Sequence, residues 1–170
     1  MNLVLTGFMG TGKTTVGRKL AGRLGMGFVD TDQDIEQVTE MTISEIFDKH
    51  GETRFRSEET AAAKRVGQKD KQVIATGGGI VLKQENMDIL KENGIIICLS
   101  ATPDAIYQRL KNSKNRPLLQ TENPREKIME LLDERRPYYA KADAVVDTSG
   151  RAVDDIVNEI IRLYGEFSRK

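Results

Sequence analysis

Apolar residues gather in five short runs along the chain: Leu3 to Leu5, Phe28-Val29, Val73 to Ala75, Ile95 to Leu99 and Ala144 to Val146. Most lack the polar alternation of a strand with one wet face, so they read as buried parallel strands. Between them the period changes. Val16, Leu20 and Leu24 share one helical face, as do Val153, Ile156, Val157, Ile160 and Tyr164. Helix starts are marked as well: Thr42-Ile43-Ser44-Glu45 is a capping box, and Thr102-Pro103 and Asn123-Pro124 each set a good N-cap before a proline at the first helical position. This alternation predicts an α/β fold of three layers, α/β/α, around a five-stranded parallel sheet, with ligands collecting at the carboxyl ends of the strands. The stretch from Lys111 to Asn123 is polar apart from Leu118-Leu119 and predicts a mobile lid at about 111–123.

Composition narrows the classes. A chain of 170 residues with 38% hydrophobic residues fits one domain spanning 1–170. Its 26 basic and 26 acidic residues cancel, so no global field draws in nucleic acid or an anionic membrane, and a charged ligand must be held by local clusters. The longest apolar run, Ile95 to Leu99, is far too short to span a bilayer, and Met1-Asn2 passes straight into the first strand. A cytoplasmic monomer is the expectation. The lone Cys98 lies inside that run and reads as a small buried hydrophobe, and His50 as an exposed side chain.

The strongest local signal is Gly7-Phe8-Met9-Gly10-Thr11-Gly12-Lys13-Thr14, which fits G-x-x-x-x-G-K-[ST], follows the first strand and opens a helix from Lys13 to about Leu24. Glycines at this spacing let backbone N–H groups wrap a phosphate, Lys13 reaches its outer oxygens, and the Thr14 hydroxyl serves Mg²⁺. A nucleoside triphosphate and Mg²⁺ are therefore expected.

Other candidates surround this loop. Asp30-Thr31-Asp32 ends the second strand on the same sheet edge; either one carboxylate holds Mg²⁺ and the other takes a proton from an attacking hydroxyl, or the pair caps a helix. Thr76-Gly77-Gly78-Gly79 after the third strand allows backbone to approach a ligand closely, with Thr76 near the metal's waters, or is a plain flexible turn. Arg56, Arg109, Arg116, Arg135 and Arg136 are candidate clamps for carboxylate or phosphate. Arg116, in the lid, is placed to act as an arginine finger, and Glu59 sits three residues after Arg56, able to hold its guanidinium.

Taken in order, GFMGTGKTT, FVDTDQDIE, Gly51-Glu52-Thr53-Arg54-Phe55-Arg56-Ser57-Glu58-Glu59, ATGGG, Asn115-Arg116-Pro117-Leu118-Leu119 and Arg135-Arg136-Pro137-Tyr138-Tyr139 resemble the shikimate kinase family over essentially the whole chain. The resemblance implies a P-loop fold like the nucleoside monophosphate kinases, a substrate-binding segment at about 31–62, and ATP-dependent phosphorylation of the shikimate 3-hydroxyl with Mg²⁺. It makes Asp32 the contact to the reacting hydroxyl, with Arg56, Arg135, Gly78 and its neighbours Gly77 and Gly79 as further shikimate contacts, and Glu59 orienting Arg56. Asp30 and Thr14 fall nearest the metal. Gly10, Thr11, Gly12, Lys13, Thr14 and Thr15 surround the phosphates, Arg116 reaches over from the lid, and Arg109, Pro117 and the loop around Ser149 to Val153, with Arg151, meet the adenine. A gluconate kinase-like sugar-acid kinase is the enzyme alternative, since it shares the scaffold and an anionic substrate. A switch GTPase would need an N-K-x-D segment near the later strands, and none occurs; Asp48-Lys49-His50-Gly51 matches D-x-x-G but falls at the end of a helical stretch.

Overall fold

The computed structural model describes every residue except Lys114, Asn115, Pro117, Leu118 and Lys170. Five strands, β1 (Asn2–Gly7), β2 (Gly27–Asp30), β3 (Gln72–Ala75), β4 (Gly94–Ser100) and β5 (Ala144–Asp147), form one sheet in the order β2-β3-β1-β4-β5. Every pairing is parallel, with Leu3 beside Val73 and Ile95, and Val4 beside Ile74 and Ile96. The helices are α1 (Lys13–Leu24), α2 (Thr31–Thr39), α3 (Ile43–Gly67), α4 (Gln84–Glu92), α5 (Pro103–Leu110), α6 (Pro124–Tyr139) and α7 (Val153–Phe167), with a short 3₁₀ turn at Ile80–Leu82.

The side-chain period of two sorts the central strand between two cores. Leu3 and Leu5 point to the face covered by α1 and α7, where they join Val16, Leu20, Ile156, Val157 and Ile160. Val4 points to the opposite face, with Ile74, Ile96 and Cys98 under Ala63, Val66, Met87, Leu90, Ile106 and Ile128. Ile35 of α2 packs with Ile46, Phe55 and Ala62 of α3 in a third, smaller core. The expected three layers and all five strands are present, and the face shared by Val153 to Tyr164 is the one α7 buries.

All three marked helix starts hold. Thr42 accepts from Glu45 N–H while the Glu45 carboxylate accepts from Thr42 N–H, and Thr102 and Asn123 accept from Ala105 and Glu126 N–H ahead of their prolines. One boundary differs. The second strand stops at Asp30, and Thr31 and Asp32 already belong to α2, because the Asp30 carboxylate caps that helix by accepting from Asp32 and Gln33 N–H. Helix α3 breaks its dihedrals once, at Gly51, and the D-x-x-G match of the sequence ends on that kink. Among the described residues no helix is long and apolar enough to cross a membrane.

Candidate active site

Strand β1 lies at the switch point of the sheet, with β3 on one side and β4 on the other, so the loop leaving its carboxyl end opens into the crevice where α/β sheets bind ligands. A cleft of about 820 Å³ opens there, lined by Gly10, Gly12, Lys13, Thr14 and Thr15 of the loop, Asp30 and Asp32, Arg56 and Glu59 of α3, Thr76 to Gly79, Arg116, and Arg135 of α6. Most candidate residues thus converge, from six segments, on one place.

Lys13 is a buried cation of this cleft. Its ammonium donates to the Gly7 carbonyl at 2.7 Å and the Phe8 carbonyl at 2.9 Å, which folds it over the loop it belongs to. Burial pulls its pKa down to about 8, against the raising effect of Asp32. Beside it, Thr14 Oγ1 donates to Asp30 Oδ2 at 3.0 Å. Of the jobs weighed for Asp30 the cap is the one seen, through Oδ1, while Oδ2 meets the loop hydroxyl.

Asp32 has a different environment. Burial first, and then the charge of Asp30, raise its carboxyl to about 6. Glu59, 1% exposed, is raised by burial to about 7 although its Oε2 accepts from Arg56 Nη1 at 2.8 Å. Arg56 also donates to Glu52 at 3.1 Å, so two carboxylates on its own helix hold the guanidinium. Asp32 Oδ1 and Glu59 Oε1 are buried without a protein hydrogen-bond partner among the described residues. Both pack against Gly77.

The glycine triplet is what lets these groups come so close. A Cβ on Gly77 would stand 2.6 Å from Asp32 Oδ1 and 3.3 Å from Glu59 Oε1, and one on Gly79 would stand 2.1 Å from Arg56 Nη1. At Gly78 a Cβ would only touch Met9 N at 3.4 Å and Arg135 Nη1 at 3.5 Å. The missing side chains of Gly77 and Gly79 are the space that a carboxylate and a guanidinium occupy. Thr76 donates its hydroxyl proton to the Leu5 carbonyl, which ties β3 to β1 at the cleft floor.

Arg135, 4% exposed, lies with its guanidinium 5.6 Å from the Phe8 ring centroid. Arg136, the neighbouring candidate, is exposed, pairs with Asp133 and is not part of the cleft. Arg109 does not line the cleft but grips its edge, donating to the Gly10 carbonyl at 2.9 Å and to both the hydroxyl and carbonyl of Thr148. Thr11 turns away: it closes the loop by donating to Phe8 carbonyl. Arg151 is engaged with the Asp147 carbonyl and Glu159, away from the cleft lining. Pro117 lies outside the described residues.

Sequence reasoning assigned no role to Thr31, Tyr139 or the Phe47–Phe55 pair. The Thr31 hydroxyl, fully buried, accepts from Gly77 N–H at 2.9 Å, and Tyr139 donates to the Gly78 carbonyl at 2.7 Å. Phe47 and Phe55, with ring centroids 4.9 Å apart, wall the cleft's far end. For Tyr139 a signal existed, since it falls four residues after Arg135 and so on the same helical face.

Comparison with known proteins bears on this geometry. The family model described as shikimate kinase matches residues 9–164. The shikimate kinase of Thermodesulfovibrio yellowstonii is 53% identical over 98% of this chain and 96% of its own length. Among solved structures, a shikimate kinase from Acinetobacter baumannii in complex with shikimate superposes with a TM-score of 0.93 at 42% identity, covering 99% of this chain and 94% of that one. A gluconokinase from Sinorhizobium meliloti has a TM-score of 0.59 at 18% identity and shares the fold alone.

Proposed function

Since the chain belongs to the shikimate kinase family, we propose that its cleft transfers the γ-phosphoryl group of ATP to the 3-hydroxyl of shikimate, giving shikimate 3-phosphate and ADP. The observation that carries this reading is the convergence of a phosphate loop, a buried carboxylate and two arginines on one glycine turn. A kinase needs the first two; an anionic acceptor needs the arginines.

In this reading Arg56 and Arg135 take the acceptor's carboxylate, and Glu59 and Glu52 keep Arg56 from swinging away. The Asp32 carboxylate, which lines the cleft, accepts from the acceptor hydroxyl. As that oxygen bonds to the γ-phosphorus, the bond from phosphorus to the β-γ bridging oxygen breaks, ADP leaves, and the hydroxyl proton passes to Asp32. Lys13 meets the negative charge that builds on the transferred group, and Arg116, exposed at the cleft's rim, adds a second cation. Thr14 Oγ1 and Asp30 Oδ2 are hard oxygens 3.0 Å apart at the edge of the phosphate loop, a donor set suited to Mg²⁺ that keeps most of its other ligands from water and phosphate. Bound there, Mg²⁺ supplies charge neutralisation on the phosphate oxygens. Residues 31–62 form the acceptor segment, residues 111–123 the lid, and Arg109 with the loop carrying Arg151 the adenine side. The enzyme works as a cytoplasmic monomer on two small molecules, without nucleic acid or membrane, in keeping with its balanced charge.

The test is ADP release coupled to a spectroscopic readout, run with shikimate, quinate, gluconate and no acceptor. Turnover is expected with shikimate and not with gluconate; preference for gluconate, or release independent of any acceptor, overturns the reading.

A further inference from the structure

The hydroxyl of Tyr139 stands between the two halves of the acceptor site. On one side it donates to the Gly78 carbonyl at 2.7 Å, across 61 residues of chain. On the other, Arg135 Nη1 lies 3.5 Å from where a Cβ on that same Gly78 would stand, so the guanidinium rests on the residue whose carbonyl Tyr139 holds. Arg135 and Tyr139 are four residues apart on α6 and are 4% and 9% exposed, so the helix presents both to the cleft wall as one buried unit. The glycine turn is gripped from the far side as well, by Thr31 at Gly77 N–H. It is thus suspended between α2, which carries Asp32, and α6, which carries Arg135.

We infer that Tyr139 is a positioning residue for the acceptor: its hydroxyl pins the glycine turn on which the Arg135 fork rests, so that the carboxylate contact and the hydroxyl contact stay in register. Burial raises this phenol to about 12, so it remains an O–H donor throughout the working range of the enzyme. A planar guanidinium binds carboxylate well in one orientation only, and Arg135 is set by the glycine turn and by the Phe8 ring face beneath it. The inference rests on Arg135 being an acceptor contact.

The test is Tyr139→Phe, which keeps the ring and removes the O–H, measured beside Arg135→Lys and the double variant. Tyr139→Phe should raise the KM for shikimate about 3- to 10-fold, the worth of one net hydrogen bond, with the KM for ATP and kcat within about twofold. In the Arg135→Lys background the same change should have little further effect, because Tyr139 acts through the fork. Tyr139→Met, which fills the space without a hydroxyl, should give the same split. An unchanged shikimate KM in Tyr139→Phe, a parallel rise in both KM values, or full additivity with Arg135→Lys overturns the inference while leaving Arg135 in the site. If Arg135→Lys itself leaves shikimate KM unchanged, the assignment of Arg135 falls and this inference with it.

Discussion

Asp32 and Asp30 are separated by one residue and by two kinds of surroundings, and that difference assigns their work. Asp30 spends one oxygen on the backbone of α2 and the other on Thr14, whereas the buried Asp32 Oδ1 has no hydrogen-bond partner among the described residues. Asp32→Asn should therefore lower kcat by about 10² to 10⁴, the range for losing a positioned base. If steady-state kinetics show that loss in Asp30→Asn and not in Asp32→Asn, the two roles are exchanged. The triplet makes a second prediction at this scale. Gly79→Ala places a methyl where the Arg56 guanidinium sits, so the arginine must move while the backbone need not. Shikimate KM should rise and the denaturation midpoint stay close to the parent's; a normal KM would show that Arg56 has room to spare. Much of this site was legible because the phosphate loop is a contiguous motif whose spacing carries its own mechanism. Thr31 and Tyr139 were not, since their value lies in contacts made across 46 and 61 residues, which no local spacing encodes.

Elements were legible in proportion to how strongly their ends were marked. The helices begun by Thr42, Thr102 and Asn123 start where their caps and prolines said, and α7 announces itself by a clean apolar face. Helix α2 hid behind its own cap: Asp30-Thr31-Asp32 reads as a strand end until the Asp30 side chain is seen bonding to the backbone ahead of it. Helix α4 has no N-cap side-chain bond at all, so its start carried no signal. In α3 the decisive residue is Gly51, whose φ of 81° and ψ of 176° lie in a region essentially reserved for glycine. The kink aims the half of the helix that carries Arg56 and Glu59. Gly51→Ala has open space for its methyl, so any effect is conformational. It should cost about 1 to 3 kcal/mol in urea unfolding and raise shikimate KM; no loss of stability would mean that the helix runs straight at no penalty. At the rim, Arg116→Ala should lower kcat by up to about 10³ with little change in either KM, because a cation that meets only developing charge helps the transition state alone. Full kcat in that variant would make Arg116 a surface charge.

At the scale of the whole molecule, the site is a cost that the apolar cores must cover, and the cost depends on pH. Asp32 and Glu59 titrate near 6 and 7 when folded, above their ordinary 3.8 and 4.5. Through that window the folded chain holds protons the unfolded chain has released, so stability falls as pH rises from about 4 to about 7. Lys13 works in the opposite sense at higher pH: with its folded value near 8 and its ordinary value at 10.5, the unfolded chain binds the extra proton between those values, and stability recovers as pH rises. These three groups together place the least stable range near pH 7 to 8, where the proposed mechanism needs Asp32 ionised and Lys13 charged. Activity and stability should therefore run against each other along the acid limb, with kcat/KM for shikimate rising through about pH 6 to 7 as unfolding becomes easier. Asp32→Asn separates the two. At pH 7.5 it removes a buried charge and should stabilise the protein by roughly 1 to 3 kcal/mol. At pH 4, where the parent's carboxyl is protonated in the folded chain, the same change should yield much less. Urea unfolding of parent and variant at both pH values checks this, and a gain at pH 4 as large as that at pH 7.5 would show that charge burial at Asp32 is not what the fold is paying for.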